Sequence, residues 1–512
     1  MKRTQTTATR GHGGVTRRGF LAGAAAGVAG IQIVPRWVLG QAGVTAPSDK
    51  VTIAFVGVGS QGLRVMLEFL KESDVQAVAV CDPNKSSADY PQWGKNEFRD
   101  AVRRLLGTNS GWDELSPNQP IRLTRTMTEG GGVAGREPCQ KIVNAYYGGR
   151  NRFGEARTCS AWADFRELLA KEKDVDAVVV GTPDHVHASA SIAAMNAGKH
   201  VFCQKPMTRT VDEARRMGEV ARRKRVATQV AVGNAASEDT RVLCEWVSSG
   251  AIGPVRQVVN WSSRPFWPQA IDRPTDTQPV PDGLDWDLWL GPAPLRPFHH
   301  VYLPFVWRGW YDFGCGALGD MGCYSFDTIF RVLKLGSPAT IEATSTERYP
   351  ETYPAASIVR IGFPGRGDMP PVTVTWYDGG LKPPRPDDLD DNQKLDAEGL
   401  LFVGDKGSIL CGFTGGSPRL IPAAKMNSFQ KPAKTLPRSP GHLREWLNAC
   451  KGQGVPAANF EFSAVVTETL ALANIALRTG ERITWDGTNA KSPKPPSVQE
   501  YIAPTRRSGW EL

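Results

Sequence analysis

The segment 51–82 constrains the fold more than any other part of the chain. An apolar run at 51–56 reads as a buried strand, followed by Gly57-Val58-Gly59-Ser60-Gln61-Gly62 and a helical pattern over 63–72. A second apolar strand, 75–81, then ends at Asp82, twenty residues beyond Gly62. A lone G-x-G-x-x-G run is weak evidence. Strand, glycine turn, helix, strand and terminal acid in this order and spacing predict a dinucleotide-binding βαβ unit. Its glycines let backbone N–H groups approach a pyrophosphate lying on a helix amino end, so Gly57, Gly59, Ser60, Gln61 and Gly62 are the expected contacts. Asp82 is placed to accept from the adenosine ribose hydroxyls and to repel a 2′-phosphate, which favours NAD over NADP.

Regular alternation resumes further on, with helix 164–171, strand 177–180, loop 181–187, helix 188–197, strand 200–203, helix 211–224 and strand 227–232. This pattern predicts a doubly wound parallel sheet. Ligands in such sheets sit beyond the carboxyl ends of the strands, where Gly57, Asp82, Thr182, Gln204 and Gly233 fall. The polar, glycine-studded stretch 83–156, with one helical segment near 139–147, reads as an insertion that covers part of the cofactor. Beyond residue 235 the texture changes to strands (340–346, 357–363, 372–377, 400–404, 408–411), proline-rich loops and a helix at 321–335. Six tryptophans, Trp261, Trp267, Trp286, Trp289, Trp307 and Trp310, fall within fifty residues there. Helical segments 441–450 and 462–479 close this second domain and pack back on the first. The expected organisation is an α/β chain: a nucleotide-binding domain over 48–235, an α/β domain over 236–485 for substrate and oligomer contacts, and a tail at 486–512.

With 61 Lys+Arg against 52 Asp+Glu the chain carries +9, which would suggest nucleic acid if it were spread evenly. Six of those charges, Lys2, Arg3, Arg10, Arg17, Arg18 and Arg36, lie within 1–42, where there is no acid, leaving +3 for the remainder. Thr16-Arg17-Arg18-Gly19-Phe20-Leu21 precedes a 15-residue apolar run, 20–34, too short to span a bilayer comfortably. The pattern fits a twin-arginine signal peptide over 1–42, hence export, a periplasmic address and no stable membrane span after cleavage. Nine dispersed cysteines without a C-x-x-C pair argue against a disulfide scaffold and a Cys-rich zinc site. His185 and His187 could chelate, but no Cys or carboxylate cluster completes a site, so no metal is expected.

Several motifs together resemble the Gfo/Idh/MocA oxidoreductase family: Gly57–Gly62 with Asp82, the run from Gly181 through Thr182-Pro183-Asp184-His185-Val186-His187, Ala197-Gly198-Lys199-His200-Val201, Gln204-Lys205-Pro206, and Gly319-Asp320-Met321-Gly322. The likeness covers about 48–485 and is closest to an exported, twin-arginine-bearing branch. It implies a Rossmann domain followed by an α/β domain with an open, mostly antiparallel sheet, often a homo-oligomer, acting on sugars or polyols with NAD.

The resemblance makes Lys205 the active-site lysine. Its usual neighbour is Glu; here it is Gln204, and loss of that carboxylate would let desolvation lower the lysine pKa toward that of a general base. Asp320 and Tyr324 stand four residues apart on one helix face. The family commonly has His at the second position, and a phenol is a poor base at neutral pH, so Tyr324 is expected as donor or secondary acid with Asp320 positioning the substrate. Thr182, Pro183, His187, Gln204 and Asn234 are expected near the cofactor. Arg264, Trp267, Trp307 and Arg308, with Tyr311, would stack on and hydrogen-bond a sugar ring. The expected activity is NAD-dependent oxidation or reduction of a sugar, glycoside or polyol, with a tightly held NAD that recycles. The alternatives are a redox-assisted glycosidase, lyase or epimerase, and a non-catalytic carbohydrate-binding protein that kept the nucleotide.

Overall fold

A computed structural model describes residues 49–122, 127–148 and 158–512. The leader expected over 1–42 lies outside them. β1 (Val51–Val56), α1 (Ser60–Leu70) and β2 (Val75–Cys81) form the expected unit. The chain then runs through β3 (Ser87–Pro91), α2 (Glu97–Leu106), β4 (Pro120–Arg122), β5 (Met127–Glu129) and β6 (Gly131–Ala134). β3 pairs antiparallel with β6, and β4 with β5, both apart from the main sheet. α3 (Arg136–Gly148) follows and leads to β7 (Ser160–Trp162), which pairs parallel with β2. Because α3 buries Cys139, Ile142 and Val143 in the core that β1 and β2 share, it is the crossover helix between two parallel strands. The departure from a plain doubly wound order therefore ends before Arg136, within the stretch 83–156 read as insertion.

α4 (Phe165–Lys171), β8 (Ala177–Val180), α5 (Asp184–Asn196), β9 (His200–Cys203), α6 (Val211–Lys224) and β10 (Thr228–Val230) complete the sheet. Its order is β10-β9-β8-β1-β2-β7, all parallel. β8 is buried on both faces, as its unbroken apolar run requires, and so is β1 except at the half-buried Thr52. α5 begins at Asp184 rather than at 188, so part of the expected loop 181–187 is helix. Its first turn, Asp184-His185-Val186-His187, is polar yet buried, and a helix buried all round carries no amphipathic stripe to announce it.

α7 (Glu238–Ser248) and β11 (Val255–Trp261) open the second domain, followed by α8 (Trp286–Leu290) and α9 (Gly316–Leu333). β12 (Thr340–Ser345), β13 (Ser357–Phe363), β14 (Val372–Tyr377), β15 (Gly399–Gly404), β16 (Gly407–Cys411) and β17 (Arg419–Ile421) come next. After α10 (Ala423–Ser428), α11 (His442–Cys450) and α12 (Phe460–Thr479), the chain ends in β18 (Ile483–Asp486), β19 (Lys491–Lys494) and α13 (Gln499–Ile502). The nine strands are ordered β17-β16-β15-β11-β14-β13-β12-β18-β19, and only β11–β14 is parallel.

One face of this sheet packs on α9 and α12. α12 is long and apolar enough to cross a membrane, but 83% of its apolar window is buried inside the fold. It also lies against α6: a Cβ on Gly218 would stand 3.1 Å from the Ala464 Cβ. α11 returns to the first domain, where Trp446 meets Phe69 and Phe202 edge-on, each at 5.5 Å between centroids. The nine cysteines are all free.

Candidate active site

One cavity of about 480 Å³ opens along the carboxyl ends of β1, β2, β7, β8 and β9 and is closed by the second domain. Gly57 makes the first turn possible. Its φ is +82°, and a Cβ there would lie 2.4 Å from the Thr182 amide nitrogen, so only glycine fits. Gly62 serves packing instead: its Cβ would fall 1.9 Å from the Gly57 carbonyl oxygen, and it does not line the cavity. Gly59, Ser60 and Gln61 do line it. No side chain caps the start of α1 and no acid sits in its first turn, which leaves its amide hydrogens for an anion. Asp82, at the end of β2, accepts from the Val58 and Asn84 amides, each at 2.8 Å. Burial pushes its carboxyl up to about 6. A cradle that any Cβ would fill, beside an open helix start and a buried acid, fits a dinucleotide.

The other end of the cavity holds the expected chemistry. Lys205 follows β9, with a cis peptide to Pro206, and its ammonium donates to Asp320 Oδ1 and to the Asp320 carbonyl, both at 2.9 Å. Arg308 Nε donates to the same Oδ1 at 3.0 Å. Nζ of Lys205 lies 5.1 Å from the centre of the Tyr324 ring. Asp320 stands in the second turn of α9, which starts before it at Gly316 rather than at 321. The expectation that Lys205 lacks an anionic partner is not met. Burial is the largest single influence and would lower its pKa, but the Asp320 carboxylate, with smaller contributions from Tyr324 and Cys323, more than offsets it and holds the ammonium above its ordinary value. Burial would likewise raise Asp320, and the Lys205 and Arg308 charges hold it low. Burial raises the Tyr324 phenol, so it stays protonated and can only donate or accept a hydrogen bond.

Thr182, Pro183 and Gln204 line the cavity; His187 and Asn234 do not. His187 Nδ1 is 2.8 Å from the Pro206 carbonyl and Nε2 is 2.9 Å from the Thr182 carbonyl. It sits between the two loops that carry cavity residues; burial pulls its pKa down to about 4, so the neutral ring donates to one of the two carbonyls. Asn234 donates to the Tyr324 carbonyl at 2.9 Å and to Thr328 at 2.8 Å, so it steadies α9. His185 is buried with Nε2 3.0 Å from the Trp289 carbonyl. Among the described residues no group of three or more His, Cys, Asp or Glu could hold a metal ion.

Arg264, Trp267, Trp307 and Arg308 line the cavity. Tyr311 does not; it packs under Arg478. Arg308 lies 4.0 Å above the Phe305 ring and 4.3 Å above Trp307, and Phe266 stacks on Phe305 at 5.8 Å. Trp93, from the added stretch, reaches across to Phe305 at 5.5 Å while remaining 55% exposed. Tyr90 and Trp93 are cavity residues that the sequence reading missed, as is Asp184. Burial pushes the Asp184 carboxyl up to about 7, and its Oδ2 has no partner. Its place at the first position of α5 would ordinarily favour the charged form; here burial wins.

Fold and cavity together define a two-domain dinucleotide-binding protein with a lysine–carboxylate pair at the reacting end. Residues 132–232 match the model described as oxidoreductase family, NAD-binding Rossmann fold, and residues 245–362 the family's C-terminal alpha/beta domain. Over those two segments the chain is similar to the Gfo/Idh/MocA oxidoreductase family. It is 30% identical over 122 residues to a levoglucosan dehydrogenase of Pseudarthrobacter phenanthrenivorans, covering 23% of this chain and 30% of that one. It is also 30% identical over 185 residues to a 1,5-anhydro-D-fructose reductase of Ensifer adhaerens, covering 35% and 44%. The chain spans less than half the length of either relative. A WlbA dehydrogenase of Chromobacterium violaceum, solved with NADH and UDP-GlcNAcA, shares the fold with a TM-score of 0.50 at 15% identity, over 87% of this chain and 98% of that one.

Proposed function

We infer that the protein is an NAD-dependent oxidoreductase acting on a sugar, glycoside or polyol. The observation that carries this reading is one cavity with an open helix start and Asp82 at one end and the Lys205–Asp320–Arg308 cluster at the other. A bound nicotinamide supplies or accepts the hydride at a carbinol carbon. Lys205, held charged, donates its proton to the substrate oxygen in carbonyl reduction and must first lose a proton to act as base in alcohol oxidation. Asp320 fixes the ammonium, and Arg308 offers further donors to a substrate hydroxyl. The protonated Tyr324 adds a donor or acceptor. The aromatic lining suits the apolar face of a sugar ring, and two relatives named for an anhydrosugar dehydrogenase and an anhydrosugar reductase support that substrate class. Asp82 favours NAD over NADP. An exported address, which the 1–42 leader supports, would make a tightly held, recycling NAD necessary.

The test is a panel of anhydrosugars, glycosides and polyols offered to the nucleotide-loaded full chain, followed by reduced-nicotinamide absorbance and by product analysis. Lys205→Ala should lower turnover by roughly 10²–10⁴-fold while nucleotide stays bound, and wild-type oxidation should accelerate toward alkaline pH. Unchanged turnover in Lys205→Ala would remove the lysine from the chemistry.

A further inference from the structure

The β2–β7 side of the cavity is walled by residues distant in sequence from the βαβ unit. The acid ending β2 marks where the adenosine ribose lies in a doubly wound sheet, and residues 163–165, directly after β7, line the same end. Trp510 joins them there. Its side chain is buried, lies edge-on to Phe165 at 5.9 Å between centroids, and shares a core with Val186.

We propose that Trp510 is a wall of the adenosine subsite, clasped in place by the 506–510 segment, and that it sets how slowly the dinucleotide leaves. The proposal rests on the reading that this cavity holds a nicotinamide dinucleotide. Three elements anchor the segment. Arg506 donates to Asp212 on α6 at 2.9 Å. Arg507 donates to the Gly291 carbonyl at 2.9 Å and the Asp287 carbonyl at 2.8 Å, and pairs with the Asp287 carboxylate. Arg166 on α4 donates to the Gly509 carbonyl at 3.2 Å and lies over the Trp510 ring at 4.2 Å.

The neighbouring wall, carried by α8, is fixed by main-chain bonds. The Lys85 amide donates to the Gly283 carbonyl at 2.8 Å, and the Asp285 amide to the Pro83 carbonyl at 3.0 Å. These bonds hold Leu288 and Trp289 over the end of β2. A base seated among these side chains leaves by displacing Trp510 or by breaking a hydrogen-bonded wall. The Arg507 amide ties the segment to the Pro292 carbonyl at 3.2 Å, but the Trp510 amide bonds only within the segment, to the Arg507 carbonyl at 3.1 Å, so packing and Arg166 hold the indole in place.

The experiment measures release of NADH from the loaded full chain, by loss of bound-nicotinamide fluorescence on chasing with excess NAD. Trp510→Ala should release NADH roughly tenfold to a hundredfold faster, the effect of losing one aromatic wall against a base. Trp510→Phe should fall between, and Arg507→Gln, which touches only the anchor, should also speed release. Far-UV circular dichroism of the nucleotide-free chains confirms folding. A folded Trp510→Ala chain that releases NADH at the wild-type rate overturns the proposal. If that variant does not fold, wild-type rates in both Trp510→Phe and Arg507→Gln overturn it. Wild-type protein that binds no NADH would overturn the dinucleotide reading along with it, whereas normal binding with unchanged release removes the clasp alone.

Discussion

Asp184 shows how burial can reverse a residue's expected charge. The folded chain binds its proton more tightly than the unfolded chain, because burial raises the carboxyl from 3.8 to about 7. Stability from this group is therefore lost as pH rises from about 4 to about 7 and stays lost above that. Asp184→Asn keeps the shape and removes the charge, so it should stabilise the nucleotide-free chain by about 1–3 kcal/mol at pH 8. The gain should shrink as pH falls toward 4, read by thermal melting at both pH values; equal melting at pH 8 would contradict the burial account. The lysine was legible in the sequence from Gln204-Lys205-Pro206. Its charge state was not, because the compensating carboxylate, Asp320, lies 115 residues away and only folding brings it within 2.9 Å. The same holds for His187: the resemblance put it near the cofactor, but its ring lies between two loop carbonyls.

Among the elements, those whose apolar pattern matches their burial were legible almost to the residue: β9 at 200–203, α6 at 211–224, β13 at 357–363 and β14 at 372–377. α5 and α9 were read as starting late, because polar or glycine-containing first turns are buried where pattern implies a loop. The glycine turn is the element on which the site depends most. Gly57→Ala places a Cβ 2.4 Å from the Thr182 amide at φ +82°. Left-handed strain alone costs about 1–2 kcal/mol, and the clash adds to it by parting β1 from the loop after β8. The variant should unfold at lower urea and lose nucleotide binding; a variant with wild-type midpoint and affinity would show that the turn is not under this constraint.

At the scale of the molecule, the two-domain architecture followed from the sequence, but the assembly of one cavity from distant segments did not. Trp93 comes from the added stretch, Phe305 from the second domain and Trp510 from a segment read as a tail; none has a local signal for lining a site. Their convergence encloses a cavity lined by both Asp82 and Lys205, and the central claim is that NAD occupies it. The most direct test is to purify the full chain, denature it, and identify and quantify released nucleotide by chromatography and absorbance. The account predicts NAD or NADH approaching one per chain. Protein that releases none and also fails to bind added NAD would contradict it.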